Sequence, residues 1–205
     1  MQSVNAAWRT GVIRRAVASG CAIALAAGAV YAQSKADSSR GAAKAAACAA
    51  CHGAPDRPPL AGMPTLAAQQ EQFLVLQMFL MREGLRDVPQ MAGTLNGFSD
   101  RDLEDVAAYF ASQTSPRSEA GRDPKLSASG AGLAKSMACS SCHLGDYSGQ
   151  RQVPRIANQR EDYLVASMKA YRDNKRTGAD TSMNGILYKL PDRDIEALAH
   201  YLAHQ

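Results

Sequence analysis

The chain has 205 residues, of which 46% are hydrophobic and 20% are charged, so it holds enough apolar side chains for one or two folded domains. The formal net charge is +4 without any long basic run, and this composition argues against a nucleic-acid-binding module. Only 6% of the residues are aromatic, and the single Trp is Trp8. If the N-terminal segment is removed, no Trp remains, so we expect the core to enclose some other group.

Residues 1–32 have the layout of a secretory signal peptide. Arg9, Arg14 and Arg15 precede an apolar stretch, and Ala32 supplies a small residue at the cleavage position. The alternative is an uncleaved membrane anchor, but the apolar stretch is slightly short for a membrane span and is rich in Ala and Gly. Cleavage predicts an exported protein. The remaining chain has 20 basic and 19 acidic residues, so most of the apparent basicity lies in the leader.

The rest of the chain contains one sequence plan twice. Residues 41–52 align with residues 132–143, and residues 64–69 align with residues 154–159. A third, acidic segment near residue 100 has its counterpart near residue 192. The separation between corresponding residues varies only from 90 to 92 along the repeat. A repeat of this length predicts one small domain that has been duplicated, rather than a solenoid of shorter units.

The predicted domains cover residues 36–115 and 126–205. Residues 116–125 join them and contain the Pro, Gly and charged residues that are typical of a linker. The first domain has a net charge of −3 and the second a net charge of +2, before any cofactor is counted. Such a molecule could be oriented by the electric field of a partner, although drift between duplicated halves would give the same difference.

Each half is predicted to be all-helical. An Ala- and Lys-rich helix leads to the first Cys pair, a second helix follows Pro64 or Pro154, and a last helix begins near Ser99 or Pro191. Helical spacing predicts that the last helices bury Leu103, Val106, Ala107 and Phe110 in the first half, and Ile195, Leu198, Ala199 and Leu202 in the second. Units of about eighty residues often need a metal or cofactor for stability.

The sequence Cys-x-x-Cys-His occurs twice, at residues 48–52 and 139–143, and uses all four Cys outside the leader. This is the attachment signature of c-type haem. Two thiols one helical turn apart can add to the two vinyl groups of one porphyrin, while the adjoining His reaches the iron. The sequence therefore predicts two covalent haems, attached through Cys48, Cys51, Cys139 and Cys142, with His52 and His143 as iron ligands.

Three other uses of these Cys pairs fit the sequence less well. A redox dithiol is usually found in a thioredoxin-like βαβ pattern, which this sequence lacks. A structural zinc site would require both motifs to meet and would leave both His unexplained. Two disulfides would suit an exported protein, but a bridge across two residues is strained and usually reactive.

Met91 and Met183 are the predicted second iron ligands. They follow their motif His by 39 and 40 residues, and each lies between two helices on a segment with turn residues. The thioether of Met is a common second ligand of electron-transfer haems. Met78 and Met168 also correspond across the repeat, but they lie within an apolar helix, where Met usually fills the core. Met63 has no counterpart in the repeat.

Two other residue pairs have weaker signals. Pro64 and Pro154 follow the motif His by 12 and 11 residues, and their neighbourhood could supply the carbonyl that fixes the His ring. The alternative is a proline that merely starts a helix. His200 and His204 lie four residues apart on the last helix and could form a surface metal pair, but we expect them to be ordinary exposed histidines.

Taken together, these motifs resemble the di-haem class I cytochromes c of the cytochrome c4 type, from about Asp37 to Gln205. The resemblance implies two tandem all-α class I cytochrome c domains, each wrapped round one covalent haem with one His and one Met ligand. Residues 58–62 depart from the pattern, since they themselves look like the segment that usually follows the haem motif. Members are periplasmic electron carriers, so the resemblance implies that the protein is not an enzyme.

The function expected from the resemblance is single-electron transfer. The implied partners are a quinol or cytochrome c reductase, a terminal oxidase or a dehydrogenase, and a transient association with a membrane surface is compatible with this role. One alternative is a di-haem enzyme, which would require an iron with an open or displaceable ligand. Another is a subunit that donates electrons within a stable dehydrogenase complex.

Overall fold

The computed structural model describes residues 35–54, 57–118, 120–176 and 181–205. Within these ranges the helices are α1 (Ser38–Ala45), α2 (Ala49–His52), α3 (Glu71–Arg82), α4 (Asp100–Ala111), α5 (Pro124–Ser136), α6 (Ser140–His143), α7 (Glu161–Arg172), α8 (Ser182–Ile186) and α9 (Asp192–Ala203). The same ranges contain no strand, only two isolated β-bridges. The predicted signal peptide lies outside the described residues. No described helix has the length and apolar character needed to cross a membrane.

Residues Ala36–Gln205 form one compact unit that contains two hydrophobic clusters, one in each half of the repeat. In the first half α4 packs against α1 and α3, and in the second half α9 packs against α5 and α7. The faces predicted for the last helices are buried, which confirms Leu103, Val106, Ala107 and Phe110 in α4 and Ile195, Leu198, Ala199 and Leu202 in α9. The described part of the chain is therefore all-helical, as predicted.

The first and last helix of each half cross at a glycine. A Cβ at Gly41 would overlap with the backbone carbonyl of Asp105, and a Cβ at Gly130 would overlap with that of Ala197. The sequence alignment paired Gly41 with Gly132, but a Cβ at Gly132 would meet open space. Gly130 is therefore the structural counterpart of Gly41, because only its position lies against the last helix.

The second helix of each half begins later than predicted. Helices α3 and α7 start at Glu71 and Glu161, several residues after the prolines. The intervening backbone turns through positive φ angles of 55° at Ala68 and 54° at Asn158. The N–H of Ala68 donates to the last turn of α4, and that of Asn158 donates to the last turn of α9. Each half thus contains a non-helical segment that is held against its own last helix.

Candidate haem-binding sites

The first Cys-x-x-Cys-His motif forms a single helical turn. The backbone N–H of His52 donates to the carbonyl of Cys48 at 2.9 Å, and that of Cys51 donates to the same carbonyl at 3.2 Å. In the second motif the N–H of His143 donates to the carbonyl of Cys139 at 3.0 Å. One turn of helix places the two thiols and the imidazole of each motif close together, as the predicted attachment requires.

A proline carbonyl fixes each motif imidazole. Nδ1 of His52 lies 3.0 Å from the carbonyl oxygen of Pro64, and Nδ1 of His143 lies 2.8 Å from that of Pro154. A carbonyl can only accept, so Nδ1 carries the proton and Nε2 of a neutral ring keeps its lone pair. Burial lowers the pKa of both histidines, and the proline carbonyls only partly oppose this effect. Both rings are therefore prepared for a metal at Nε2, and the predicted carbonyl role of the proline segments is confirmed.

No disulfide joins the four motif cysteines. Burial raises the pKa of Cys48 and of Cys139, which favours the thiol form. In the described part of the chain, the single group of three side chains able to hold a metal lies elsewhere, so the four cysteines do not converge on one zinc site. Two neighbouring cysteines without a disulfide, beside a fixed imidazole, therefore fit covalent haem attachment better than a zinc site.

Met91 and Met183 lie at corresponding places in the two halves. Met91 ends the 3₁₀ turn Pro89–Met91, and Met183 lies within the short helix α8 rather than in irregular chain. Both side chains are partly buried and pack against the hydrophobic cluster of their own half. Met78 and Met168 are buried inside these clusters, which agrees with a core-filling role. The ligand role of Met91 and Met183 stays a prediction.

Cationic side chains that the sequence analysis missed also fit a haem. Burial and the neighbouring charge of Arg176 lower the pKa of Arg86, which lies 90 residues earlier in the repeat. Burial would raise the pKa of Tyr163, but these two cations outweigh it and the net shift is downward. The buried Nε of Arg155 has no hydrogen-bond partner among the described residues. The cations Arg86 and Arg176 would stabilise an anion beside them, and the propionates of a haem are anionic.

The histidines of the last helix are not the exposed pair that was expected. His200 is buried, and both of its ring nitrogens have partners: Nε2 accepts the backbone N–H of Asp123 at 2.8 Å, and Nδ1 lies 3.0 Å from Oε2 of Glu161. Nδ1 of His204 lies 2.7 Å from the carbonyl oxygen of His200, and its Nε2 lies 3.0 Å from that of Ala120. Both rings therefore fix the start of α5 and the chain before it.

Glutamines that the sequence analysis also left without a role join the two halves. The side chain of Gln69 forms two hydrogen bonds with the backbone of Arg155, and that of Gln159 forms two with the backbone of Thr65. Gln69 and Gln159 occupy corresponding positions in the repeat, which was the available signal. No alignment of the two halves indicates that each glutamine contacts the opposite half, because that contact exists only in the folded protein.

Comparison with known proteins gives the same result in sequence and in structure. A family model described as cytochrome c matches residues 127–205. Cytochrome c4 of Pseudomonas aeruginosa is 39% identical over 177 residues, which cover 81% of this chain and 87% of the relative. A thiosulfate dehydrogenase electron acceptor of Thiomonas intermedia is 29% identical over 174 residues, covering 79% and 80%. The crystal structure of reduced recombinant cytochrome c4 from Pseudomonas stutzeri has a TM-score of 0.74 at 34% identity, covering 82% of this chain and 98% of that chain.

These similarities confirm the predicted fold of two class I cytochrome c domains and the prediction of two covalent c-type haems, one for each Cys-x-x-Cys-His motif. They also confirm that the protein transfers electrons and is not an enzyme. The duplicated helices, the paired motif cysteines and the fixed imidazoles are features of this chain that agree with that assignment. The chain belongs to the cytochrome c4 family.

Proposed function

We propose that this di-haem electron carrier works in the periplasm. There it passes single electrons from a membrane respiratory complex, such as a quinol or cytochrome c reductase, to a terminal oxidase or a periplasmic redox enzyme. Residues 1–32 direct export, and residues 36–115 and 126–205 are the two domains, joined by residues 116–125. Sequencing of the exported protein tests the leader, since the mature chain should begin at Gln33. An N-terminus at Met1 would contradict cleavage.

The residues of each half have distinct tasks at the proposed centres. Two thiols would attach the cofactor, and one imidazole and one thioether would be the ligands of its iron. The first centre uses Cys48, Cys51, His52 and Met91, and the second uses Cys139, Cys142, His143 and Met183. Bound haem would supply a one-electron redox couple, and with one His and one Met ligand for each iron it would have no position for a substrate.

The observation that carries this proposal is the hydrogen bond from each imidazole Nδ1 to a proline carbonyl. This bond orients both rings and leaves both Nε2 atoms available in the same way. The distance from Nδ1 to the carbonyl oxygen is 3.0 Å in the first half and 2.8 Å in the second. A residue that orients a metal-binding His typically sets its tautomer and raises its basicity. Two matching centres with oriented ligands suit an electron carrier, which must change redox state with little rearrangement.

The ligand set is tested with Met91→Ala. We expect the purified variant to retain two covalent haems but to lose the sulfur-to-iron charge-transfer absorption of one of them. The same haem should then bind carbon monoxide rapidly when reduced, whereas the unmodified protein should bind it poorly. Met63→Ala is the matched control, since Met63 is also partly buried in the N-terminal half, and it should leave both absorptions intact. Retention of both absorptions in Met91→Ala would show that another residue is the ligand.

A second candidate partner is a thiosulfate dehydrogenase. The relative from Thiomonas intermedia, which is described as the electron acceptor of that enzyme, shows similarity over 79% of this chain. Stopped-flow reduction by a thiosulfate dehydrogenase with thiosulfate should then be faster than reduction by a quinol–cytochrome c reductase with quinol. Faster reduction by the reductase supports the first candidate instead. Co-purification with a dehydrogenase would indicate a subunit rather than a free carrier.

A further inference from the structure

Each proposed ligand histidine is hydrogen-bonded to a peptide group whose other end is held by the opposite half of the protein. In the first half, the carbonyl of Pro64 lies 3.0 Å from Nδ1 of His52. The N–H of the same peptide group belongs to Thr65 and donates to Oε1 of Gln159 at 2.8 Å. A chain of two hydrogen bonds therefore leads from His52, through one peptide group, into the C-terminal half.

The second half repeats this arrangement in the opposite direction. The carbonyl of Pro154 lies 2.8 Å from Nδ1 of His143, and the N–H of Arg155 donates to Oε1 of Gln69 at 2.6 Å. Gln69 and Gln159 are 90 residues apart, as are Thr65 and Arg155. The two chains of hydrogen bonds are thus reciprocal, since each half supplies a glutamine to the ligand of the other.

The amide groups of both glutamines are fixed in orientation. Nε2 of Gln159 donates to the carbonyl of Thr65 at 2.9 Å, and Nε2 of Gln69 donates to the carbonyl of Arg155 at 3.0 Å. Each Oε1 also accepts the backbone N–H of the residue that follows its own glutamine, at 2.9 Å for Gln159 and 3.0 Å for Gln69. Both side chains are buried, with 6% of their surface exposed, so water competes little for these bonds.

A hydrogen bond to the N–H of a peptide group polarises its carbonyl. Chains of buried hydrogen bonds strengthen one another, so the Oε1 contact makes the proline carbonyl a better acceptor for Nδ1. A stronger Nδ1 bond makes the imidazole more basic at Nε2 and therefore favours the more highly charged, oxidised iron. The glutamine of one half should consequently lower the reduction potential in the other half.

We propose that Gln159 is a positioning residue for His52, that Gln69 is one for His143, and that each half of the protein thereby lowers the reduction potential of the haem in the opposite half. This inference rests on the proposed ligation by His52 and His143. It assigns a redox role to two side chains that otherwise serve only to join the halves.

Other hydrogen bonds between the halves provide the control. Nε2 of Gln70 donates to the carbonyls of Ser148 and Gly149, at 2.9 and 3.1 Å. Neither of these carbonyls belongs to the peptide group that contacts Nδ1 of His143. Replacement of Gln70 therefore weakens the contact between the halves without interrupting either chain of hydrogen bonds to a ligand.

The test compares Gln159→Met, Gln69→Met and the control Gln70→Met, since Met preserves side-chain length and removes the amide. A redox titration of ¹⁵N-labelled protein follows the amide resonances of Ala50 and Ser141, which lie within the first and second haem motifs. We expect Gln159→Met to shift the reduction equilibrium reported at Ala50 toward the reduced form by about two- to fivefold, because the glutamine acts on the ligand through one intervening peptide group.

The expected pattern is crossed. Gln159→Met should leave the equilibrium at Ser141 unchanged, and Gln69→Met should shift Ser141 while leaving Ala50 unchanged. Gln70→Met should move neither. The inference would be overturned if the reduction equilibrium shifted only in the mutated half, shifted equally in both halves or did not shift. It would also be overturned if Gln70→Met gave the same shift. Each of these results would mean that the glutamines are ordinary contacts between the halves.

The unmodified protein offers a test that does not depend on a variant folding. If the glutamine bonds favour the oxidised haems, linkage requires that oxidation strengthen those bonds. The amide protons of Thr65 and Arg155 should therefore exchange with solvent more slowly in the oxidised protein than in the reduced protein. Equal or faster exchange after oxidation would overturn the inference.

Failure of the proposed ligation is distinguishable from failure of this inference. If His52 or His143 is not a ligand, the unmodified protein will lack one low-spin His-ligated haem in its magnetic resonance spectrum, and both proposals are overturned. Two low-spin haems whose equilibria do not respond in the crossed pattern would overturn only the role of the glutamines.

Discussion

In the N-terminal half, the backbone N–H of Asp37 donates to Oδ1 of Asp105 at 2.7 Å, whereas in the C-terminal half the N–H of Asp123 donates to Nε2 of His200 at 2.8 Å. Both bonds fasten the N-cap residue of the first helix to the last helix. The acceptor is a carboxylate in one half and a neutral imidazole nitrogen in the other. The duplicated fold has therefore kept the contact and changed its chemistry.

The change follows from the lengths of the first helices. Asp37 precedes the crossing glycine, Gly41, by four residues, but Asp123 precedes Gly130 by seven. Three additional helical residues add about 4.5 Å along the axis, so the acceptor must lie about one turn further along the last helix. Asp105 corresponds to Ala197 in the repeat, and His200 lies three residues beyond it. The comparison shows that equivalent tasks need not fall on aligned positions.

We call these two acceptors, Asp105 and His200, the anchors of the first helices. The two anchors also differ in their other partners. Asp105 accepts hydrogen bonds from Nε and Nη2 of Arg40 at 2.7 and 3.0 Å, and the Arg40 guanidinium lowers the pKa of the Asp105 carboxyl despite its burial. His200 instead directs Nδ1 to Oε2 of Glu161 at 3.0 Å. The first anchor is thus an ion pair between α1 and α4, and the second joins α9 to both α5 and α7.

Alanine at the crossing glycines should produce the largest loss of stability. A Cβ at Gly41 or at Gly130 would overlap with a backbone carbonyl of the last helix, which cannot move without separating the helices. We expect Gly41→Ala and Gly130→Ala each to reduce the free energy of unfolding by about 3 kcal/mol or more in urea denaturation. Similar losses would show that both crossings are equally tight, despite the different anchors.

Gly132→Ala is the matched control for these variants. Gly132 was aligned with Gly41 in sequence, yet its position faces open space. Replacing an exposed helical Gly by Ala should raise the free energy of unfolding by about 0.5 to 1 kcal/mol. Destabilisation by Gly132→Ala comparable to that of Gly130→Ala would contradict the assignment of Gly130 as the crossing residue.

Removal of the anchors should have an intermediate effect that is confined to one half. Asp105→Ala leaves the N–H of Asp37 without its acceptor, and His200→Ala does the same to Asp123. We expect each to cost about 1 to 3 kcal/mol, in line with the penalty for an unpaired buried polar group. Hydrogen exchange should accelerate mainly in α1 for Asp105→Ala and mainly in α5 for His200→Ala. Equal acceleration of both helices by either variant would contradict separate anchors.

The sequence was sufficient for those parts of the molecule that depend on local pattern. The two Cys-x-x-Cys-His turns are short-range features, and the buried faces of α4 and α9 follow from helical periodicity alone. The proline carbonyls were also within reach, because the segment after each motif must return to the imidazole. These features need no knowledge of how distant segments meet.

The remaining features depend on contacts between distant segments. His200 looked exposed in the sequence because the group that donates to its Nε2, the backbone N–H of Asp123, lies 77 residues away. Gln159 was visible as a repeated residue, but its partner Thr65 lies 94 residues away and in the opposite half. Gly130 was missed because it precedes Cys139 by nine residues, whereas Gly41 precedes Cys48 by only seven, so an alignment on the Cys pairs does not match the two glycines. Residue type indicated none of these partners.

The smallest expected effect concerns acid pH and the starts of the two last helices. Lys44 and the backbone N–H of Ser99 hold the pKa of Asp102 at about 2, below its ordinary value of 3.8. Because the folded pKa is depressed, this contribution to stability is complete above about pH 4 and is lost as the pH falls toward 2. Urea denaturation between pH 5 and 2 should thus show a flatter pH dependence in Asp102→Asn than in the unmodified protein.

Asp194→Asn in the C-terminal half completes this test. Asp102 and Ser99 form a reciprocal capping box at the start of α4. The N-cap of α9 is Pro191, which has no N–H to donate to Asp194, so the same box cannot form there. We therefore expect Asp194→Asn to change the acid limb of the stability curve less than Asp102→Asn does. Equal flattening by both variants would mean that the two last helices respond alike to acid, and that the cap at Ser99 does not set the difference.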